Sequence, residues 1–133
     1  MRLLLAVGLT AVAAVSLSGC FHAPKAPTPM PGLTDLAERP AEKSLLSGIR
    51  AYDDGQYPEA EKQLTTALKS NLQSPKDRAA AHKYLAFIYC TSNRNHECEA
   101  SFRAAQHEDP TFTLSKSEAG HPLWGPVYKR LHP

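Results

Sequence analysis

The chain has 133 residues, of which 15 are basic and 13 are acidic, so its net charge at pH 7 is only +2. Binding to the phosphates of nucleic acids requires a concentrated basic field, and this near balance argues against a nucleic-acid partner. The length allows one small folded domain at most.

The first residues have the pattern of a secretory signal. Arg2 supplies one positive charge, an apolar stretch runs from Leu3 to Val15, and small residues follow. The stretch is too short to span a bilayer comfortably, so we expect residues 1–19 to be a signal peptide. These residues hold one of the basic residues and no acidic one, which leaves a net charge of +1 on the mature chain.

The residues Leu17-Ser18-Gly19-Cys20 resemble the lipobox of bacterial lipoproteins. The resemblance implies that the Cys20 thiol receives a diacylglycerol, that the chain is cut before Cys20, and that the new amino terminus is acylated. Two or more acyl chains anchor a protein stably, because each buried methylene contributes about 0.8 kcal/mol. An ordinary signal peptide followed by a chance cysteine is the alternative.

The residue after Cys20 is Phe21 rather than an aspartate. In enteric lipoproteins this favours export to the outer membrane, so we expect a lipid-anchored protein of the cell envelope that faces the periplasm there.

A proline-rich tether is expected to follow the lipid. Residues 21–32 contain four prolines with small residues between them, namely Pro24, Pro27, Pro29 and Pro31. Polyproline geometry rises about 3.1 Å per residue and would hold the folded part away from the bilayer. A proline-rich ligand for another domain is the alternative. We assign residues 20–36 to the lipidated cysteine and the tether, and residues 37–133 to the folded domain.

Beyond the tether, apolar residues recur with a helical period between clusters of turn residues. A first helix is predicted before the breaker Asp53-Asp54-Gly55, and a second helix is predicted from near Pro58. A third opens at Ser74, whose side chain can cap it, and a fourth follows a polar turn at residues 91–95 and ends before Pro110. No segment alternates with a sustained period of two, so strands are not expected.

Gly48, Ala86 and Gly125 are spaced by 38 and 39 residues, and each lies where a small side chain would allow helices to approach closely. The residues around them resemble the tetratricopeptide repeat, whose helix-turn-helix unit has 34 residues. The matching positions are Gly48, Gly55, Tyr57, Ala60, Leu64 and Ala67 in the first copy, and Leu85, Ala86, Tyr89, Phe102 and Ala105 in the second. The resemblance implies an all-α fold of two helical hairpins and a C-terminal capping helix. A generic four-helix arrangement is the alternative.

A third, partial copy begins at Trp124-Gly125, which echoes Leu85-Ala86. Ser115 and Glu118 have the spacing of a helix cap, and the prolines of this segment predict an irregular stretch followed by a short helix from near Pro126.

Cys90 and Cys98 flank the turn between the third and fourth predicted helices. That placement can bring their Cα atoms within the range of about 4.4–6.8 Å that a disulfide needs. Two buried free thiols, or a redox-active pair, are the alternatives.

The sequence contains no pattern typical of a catalytic or metal site. Five histidines lie in the domain, namely His82, His96, His107, His121 and His132, and none forms a compact ligand pattern. No nucleophile turn or phosphate-binding glycine loop is present. We expect neither catalysis nor a cofactor.

A short repeat array offers a concave face that is lined by the first helix of each hairpin. In this register the face contains an apolar strip with one cation, formed by Leu45, Ile49, Tyr52, Lys83 and Phe87. Such a strip suits an extended or helical peptide of a protein partner. Packing of these residues against the tether, the terminal segment or one another is the alternative.

The lipobox, the tether, the two hairpins with their cysteines, and the ending from Glu118 to Tyr128 resemble the TssQ family of lipoproteins associated with type VI secretion in proteobacteria. The most distinctive part is the ending from Gly120 to Tyr128. The resemblance implies an accessory role beside an envelope-spanning secretion machine. An adaptor for peptidoglycan enzymes or for outer-membrane assembly is the alternative.

Overall fold

The computed structural model describes residues 39–132, and within this range the chain forms six helices and no strand. The helices are α1 (Pro40–Asp53), α2 (Tyr57–Lys69), α3 (Pro75–Thr91), α4 (Asn95–Glu108), α5 (Lys116–Ala119) and α6 (Gly125–Leu131). They pack as two tetratricopeptide-like hairpins, α1 with α2 and α3 with α4, followed by a capping segment, so the predicted fold class is confirmed. The predicted signal peptide, Cys20 and the tether lie outside the described residues.

The first hairpin closes around two glycines with different roles. Gly55 has a φ of +72°, a conformation that favours glycine, and its N–H donates to the Tyr52 carbonyl at 2.9 Å, which ends α1 as predicted. Gly48 lies in the middle of α1, where a Cβ would meet the Leu64 side chain of α2 at 2.7 Å. The absence of a side chain at Gly48 therefore sets the distance between the two helices.

The connection between the hairpins is longer than the repeat requires, and it fills the core. Leu72 is fully buried in this loop, and its carbonyl accepts a hydrogen bond of 2.7 Å from the Arg78 guanidinium. Leu72 was not predicted as a core residue, because it is an isolated leucine among polar residues.

The caps of the later helices follow local chemistry. The Ser74 hydroxyl accepts from the Asp77 N–H at 3.3 Å at the start of α3, as predicted. Ser115 and Glu118 form the predicted capping box at α5, in which each side chain accepts from the other residue's backbone N–H.

Two groups of buried residues form the core, and α3 contributes to both. The first lies between α1, α2 and α3 and includes Leu45 and Leu64. The second lies between α3, α4 and the terminal segment and includes Phe102 and Trp124. The half-buried rings of Tyr52, Tyr84 and Tyr89 pack against both groups, so the hairpins share one continuous core.

We expect Gly48→Val to lower the free energy of unfolding by about 1–3 kcal/mol, because the added carbons would overlap Leu64, which is fully buried and cannot move aside. Urea unfolding followed by circular dichroism measures the change. Ser47→Val places the same side chain at the half-exposed neighbouring position, where we expect a change within about 0.5 kcal/mol. Equal effects of the two substitutions would contradict the close approach at Gly48.

Cys90 and Cys98 lie across the turn of the second hairpin with their sulfur atoms at bonding distance and their Cα atoms 5.2 Å apart. Both side chains are buried. The geometry is that of the predicted disulfide, which would connect the end of α3 to the first turn of α4.

In a chain that carries Cys20→Ser, we expect no alkylated thiol before reduction and two after it, as measured by mass analysis of the denatured protein. Reduction should lower the free energy of unfolding by about 2 kcal/mol, since the bridge closes a short loop of the unfolded chain. Two modified thiols in the oxidised protein would show instead that Cys90 and Cys98 are not bonded.

Candidate interaction surface

The five residues of the predicted apolar strip lie in two different environments. Leu45 is 6% exposed and Phe87 only 2% exposed, so both belong to the core. Ile49 and Tyr52 are half-buried on α1, and Lys83 is half-buried on α3. The strip is thus partly covered in this structure.

The covering element is the chain's own C-terminal segment. Trp124 stacks on Phe87 with ring centroids 4.2 Å apart, and its indole N–H donates to the Glu118 carbonyl at 2.9 Å. The Lys83 ammonium lies 2.7 Å from the Glu118 carboxylate. Lys83 and Phe87 therefore pack against the terminal segment, which is one of the alternatives that the sequence left open.

Close contacts hold this terminal segment in place. A Cβ at Gly125 would lie 2.5 Å from the Ala119 carbonyl oxygen, so α5 and α6 meet through a position that only glycine fits. His121 stacks on the outer side of Trp124 at 3.3 Å. The Tyr128 hydroxyl accepts from the buried Leu114 N–H at 3.2 Å and ties α6 to the preceding loop.

A row of three tyrosines stays accessible next to the covered part. We call Tyr57, Tyr52 and Tyr84 the tyrosine row. The ring centroids of Tyr57 and Tyr52 are 5.6 Å apart, and those of Tyr52 and Tyr84 are 5.1 Å apart. Tyr57 is 36% exposed, and the other two are half-buried.

Two leucines add exposed apolar area. Leu46 and Leu123 are each 51% exposed. Leu46 lies beside Ile49 on α1, because residues three apart are neighbours on a helix, and Leu123 directly precedes Trp124. Tyr57 and the two leucines were not among the residues predicted for the concave face.

The surroundings of Tyr52 favour its neutral phenol. Burial is the largest cause, and together with the neighbouring hydroxyls of Tyr57 and Tyr84 and the carboxylates of Asp53 and Glu118 it raises the pKa of Tyr52 to about 12. The phenol therefore stays protonated and can donate a hydrogen bond at any physiological pH.

Two of the clefts on the described part of the chain are lined by α3. One, of about 310 Å³, is lined by Lys76 and Lys83 of α3 and by residues 109–113. The other, of about 370 Å³, lies between α3 and α4 and contains His82 and Ser101. Burial lowers the pKa of His82 although Glu108 acts in the opposite direction, so the neutral imidazole is favoured.

Among residues 39–132, no group of three or more His, Cys, Asp or Glu side chains is arranged to hold a metal ion. None of the helices described here is both long and apolar enough to cross a membrane. No protein-family model, curated protein or solved structure matches the chain.

Glu118 should make the attachment of the terminal segment depend on pH. Burial alone raises the pKa of Glu118, but hydrogen bonds from Lys83 and Ser115 outweigh it, and the pKa lies below its usual value. A carboxylate with a lowered pKa stabilises the fold above its unfolded-state pKa, and the stabilisation is lost as the pH falls through the folded-state pKa. We therefore expect the contact of Glu118 with Lys83 to weaken as the pH falls below the ordinary glutamate pKa of about 4.5.

Trp124 is the only tryptophan of the chain, so its fluorescence reports this contact. We expect the emission to shift as Trp124 becomes more exposed at low pH, and the shift to be smaller in Glu118→Gln. Glu97→Gln, which removes an exposed carboxylate paired with Arg94, is the matched control and should behave like the wild type. A shift of the same size in Glu118→Gln would contradict this role for Glu118.

Proposed function

We propose that this chain is a lipid-anchored protein of the cell envelope that binds other proteins through the accessible part of its concave face. The observation that carries the proposal is the exposed apolar surface on a repeat fold. Leu46, Tyr57 and Leu123 are the large exposed apolar side chains of the described part of the chain. Exposed apolar and aromatic side chains bordered by polar groups are typical of protein interaction sites.

The fold supports a role in protein binding rather than in catalysis. Tetratricopeptide-like hairpins stack into arrays whose concave face takes peptide segments of partners. Cys90 and Cys98, the two cysteines of the domain, lie at bonding distance from one another, which leaves neither thiol available as a nucleophile.

The proposed setting rests on the sequence. The lipobox supports an anchor at Cys20, and Phe21 supports retention in the outer membrane with the domain in the periplasm. The resemblance to TssQ lipoproteins supports an accessory role in type VI secretion, in which the domain would hold a component of the machine close to the membrane.

Crosslinking in the native cell tests this proposal. With a photoreactive residue at Leu46, we expect one envelope protein to be joined to the chain and to be identified by mass analysis as a component of a type VI secretion system. The same residue at Lys62, which is exposed on α2 and lies outside the concave face, is the matched control and should not capture this protein.

The same experiment tests the anchor. Replacing residues 1–20 with a cleavable secretory signal that lacks the cysteine should release the chain from the membrane fraction and abolish the crosslink, because the domain is no longer held beside its partner. A crosslinked peptidoglycan enzyme or outer-membrane assembly protein would replace the secretion role with the alternative adaptor role. Equal capture from Leu46 and Lys62 would contradict a specific concave surface.

A further inference from the structure

The tyrosine row presents aromatic faces that can accept a cation. Aromatic rings carry negative charge on their faces and attract ammonium and guanidinium groups within about 6 Å of the ring centre. The chain already uses this interaction within the row, where the Lys83 ammonium lies 4.8 Å from the centre of the Tyr84 ring. Tyr52 and Tyr57, the other two rings, have no cation of the described residues placed over them.

An acidic residue follows Tyr52 in the chain, and its carboxylate acts electrostatically on the Tyr52 hydroxyl. Asp53 is exposed, follows Tyr52 directly at the end of α1, and makes no ion pair with any described residue. Lys83 is neutralised by Glu118 and so does not offset Asp53. Arg50, the nearest basic residue on α1, lines a separate cleft with Glu59 and Gln63.

We propose that Tyr52, Tyr57 and Asp53 form a binding site for a lysine or arginine side chain of a protein partner. The inference rests on the proposed function, and it specifies the chemistry of the partner. The aliphatic stem of the basic residue would lie along the rings, while its charged end would reach the Asp53 carboxylate. Leu46 and Ile49, on the same helix, would contact an apolar residue next to the basic one.

The surroundings of the site favour a basic ligand over an acidic or a purely apolar one. An acidic residue would meet the Asp53 carboxylate, which already acts on Tyr52. A purely apolar segment would bury the Tyr52 hydroxyl and the Asp53 carboxylate without giving either a partner, which costs free energy. A cation satisfies the carboxylate and uses the ring faces at the same time.

A pair of peptides tests the site on the full mature chain with Cys20→Ser. The probe is acetyl-Leu-Ala-Lys-Ala-Leu-amide, and its control has norleucine in place of lysine, which keeps the apolar stem and removes the charge. We expect saturable changes of backbone amide NMR signals around Tyr52, Asp53 and Tyr57 with the lysine peptide. The norleucine peptide should bind more weakly or cause no change there.

Substitutions separate the attraction of the ring faces from simple apolar contact. Tyr57→Phe keeps the aromatic face and should leave the affinity nearly unchanged, whereas Tyr57→Leu should weaken binding about twofold to fivefold. Asp53→Asn should also weaken binding and reduce its dependence on salt, because a screened ion pair is lost. Glu59→Gln removes an exposed carboxylate outside the tyrosine row and should have no effect.

Equal binding of the lysine and norleucine peptides, or equal affinity of Tyr57→Phe and Tyr57→Leu, would overturn the cation site. Crosslinking from Leu46 then still decides the proposed function, because that experiment detects a partner of any chemistry. If Leu46 gives a specific crosslink but the lysine peptide does not bind, the cation site is wrong and the proposed function stands. If the lysine peptide binds at Tyr52 and Tyr57, the cation site is supported whichever partner is captured.

Discussion

The packing of the Phe87 ring joins the three parts of this domain. Phe87 lies on α3. The centroid of its ring is 6.2 Å from that of Tyr52 in the first hairpin, 6.2 Å from that of Phe102 in α4 and 4.2 Å from that of Trp124 in the terminal segment. Such aromatic pairs contribute about 0.5–1.5 kcal/mol each beyond the area they bury. Trp124, Val127 and Tyr128 of that segment are buried in the same group of core residues as Phe87. The C-terminal cap is therefore part of the core.

This arrangement explains why ion pairs play a smaller part in holding the fold together. The pair of Arg130 and Glu99 connects α6 to α4 at 2.7 Å, but the arginine side chain is 61% exposed. Pairs of that kind contribute about 0–1 kcal/mol because water screens them. Lys83 with Glu118 is less exposed, and it positions the terminal segment that the stack of Trp124 on Phe87 stabilises.

The sequence predicted those features that depend on local chemistry. The Ser74 cap, the capping box of Ser115 and Glu118, and the end of α1 at Gly55 each involve residues only a few positions apart, and all are confirmed. The burial of Leu72 was not predicted, because an isolated leucine in a polar loop is part of no periodic apolar pattern. Its burial depends on how the loop crosses the ends of the helices.

The interaction surface was harder to predict for the same reason. Leu45, Ile49, Tyr52, Lys83 and Phe87 were correctly placed on the first helices of the two hairpins, but their exposure depends on contacts with residues far along the chain. Phe87 meets Trp124, and Lys83 meets Glu118 at a sequence distance of 35 residues. The sequence pattern shows which face a residue occupies. Only the packed structure shows which part of that face the chain covers itself.

The covered half of the concave face also determines where a partner would meet the domain. With Phe87 and Lys83 covered, Leu46, Tyr52 and Tyr57 of the first hairpin stay accessible, on the hairpin that is nearer in sequence to the proposed lipid at Cys20. Residues 21–38 separate that cysteine from the described domain, and a chain segment extends at most about 3.6 Å per residue. On the proposed anchoring, α1, which begins 20 residues after Cys20, thus starts within about 72 Å of the bilayer surface. On this anchoring, a partner that binds the accessible surface would be held near the bilayer.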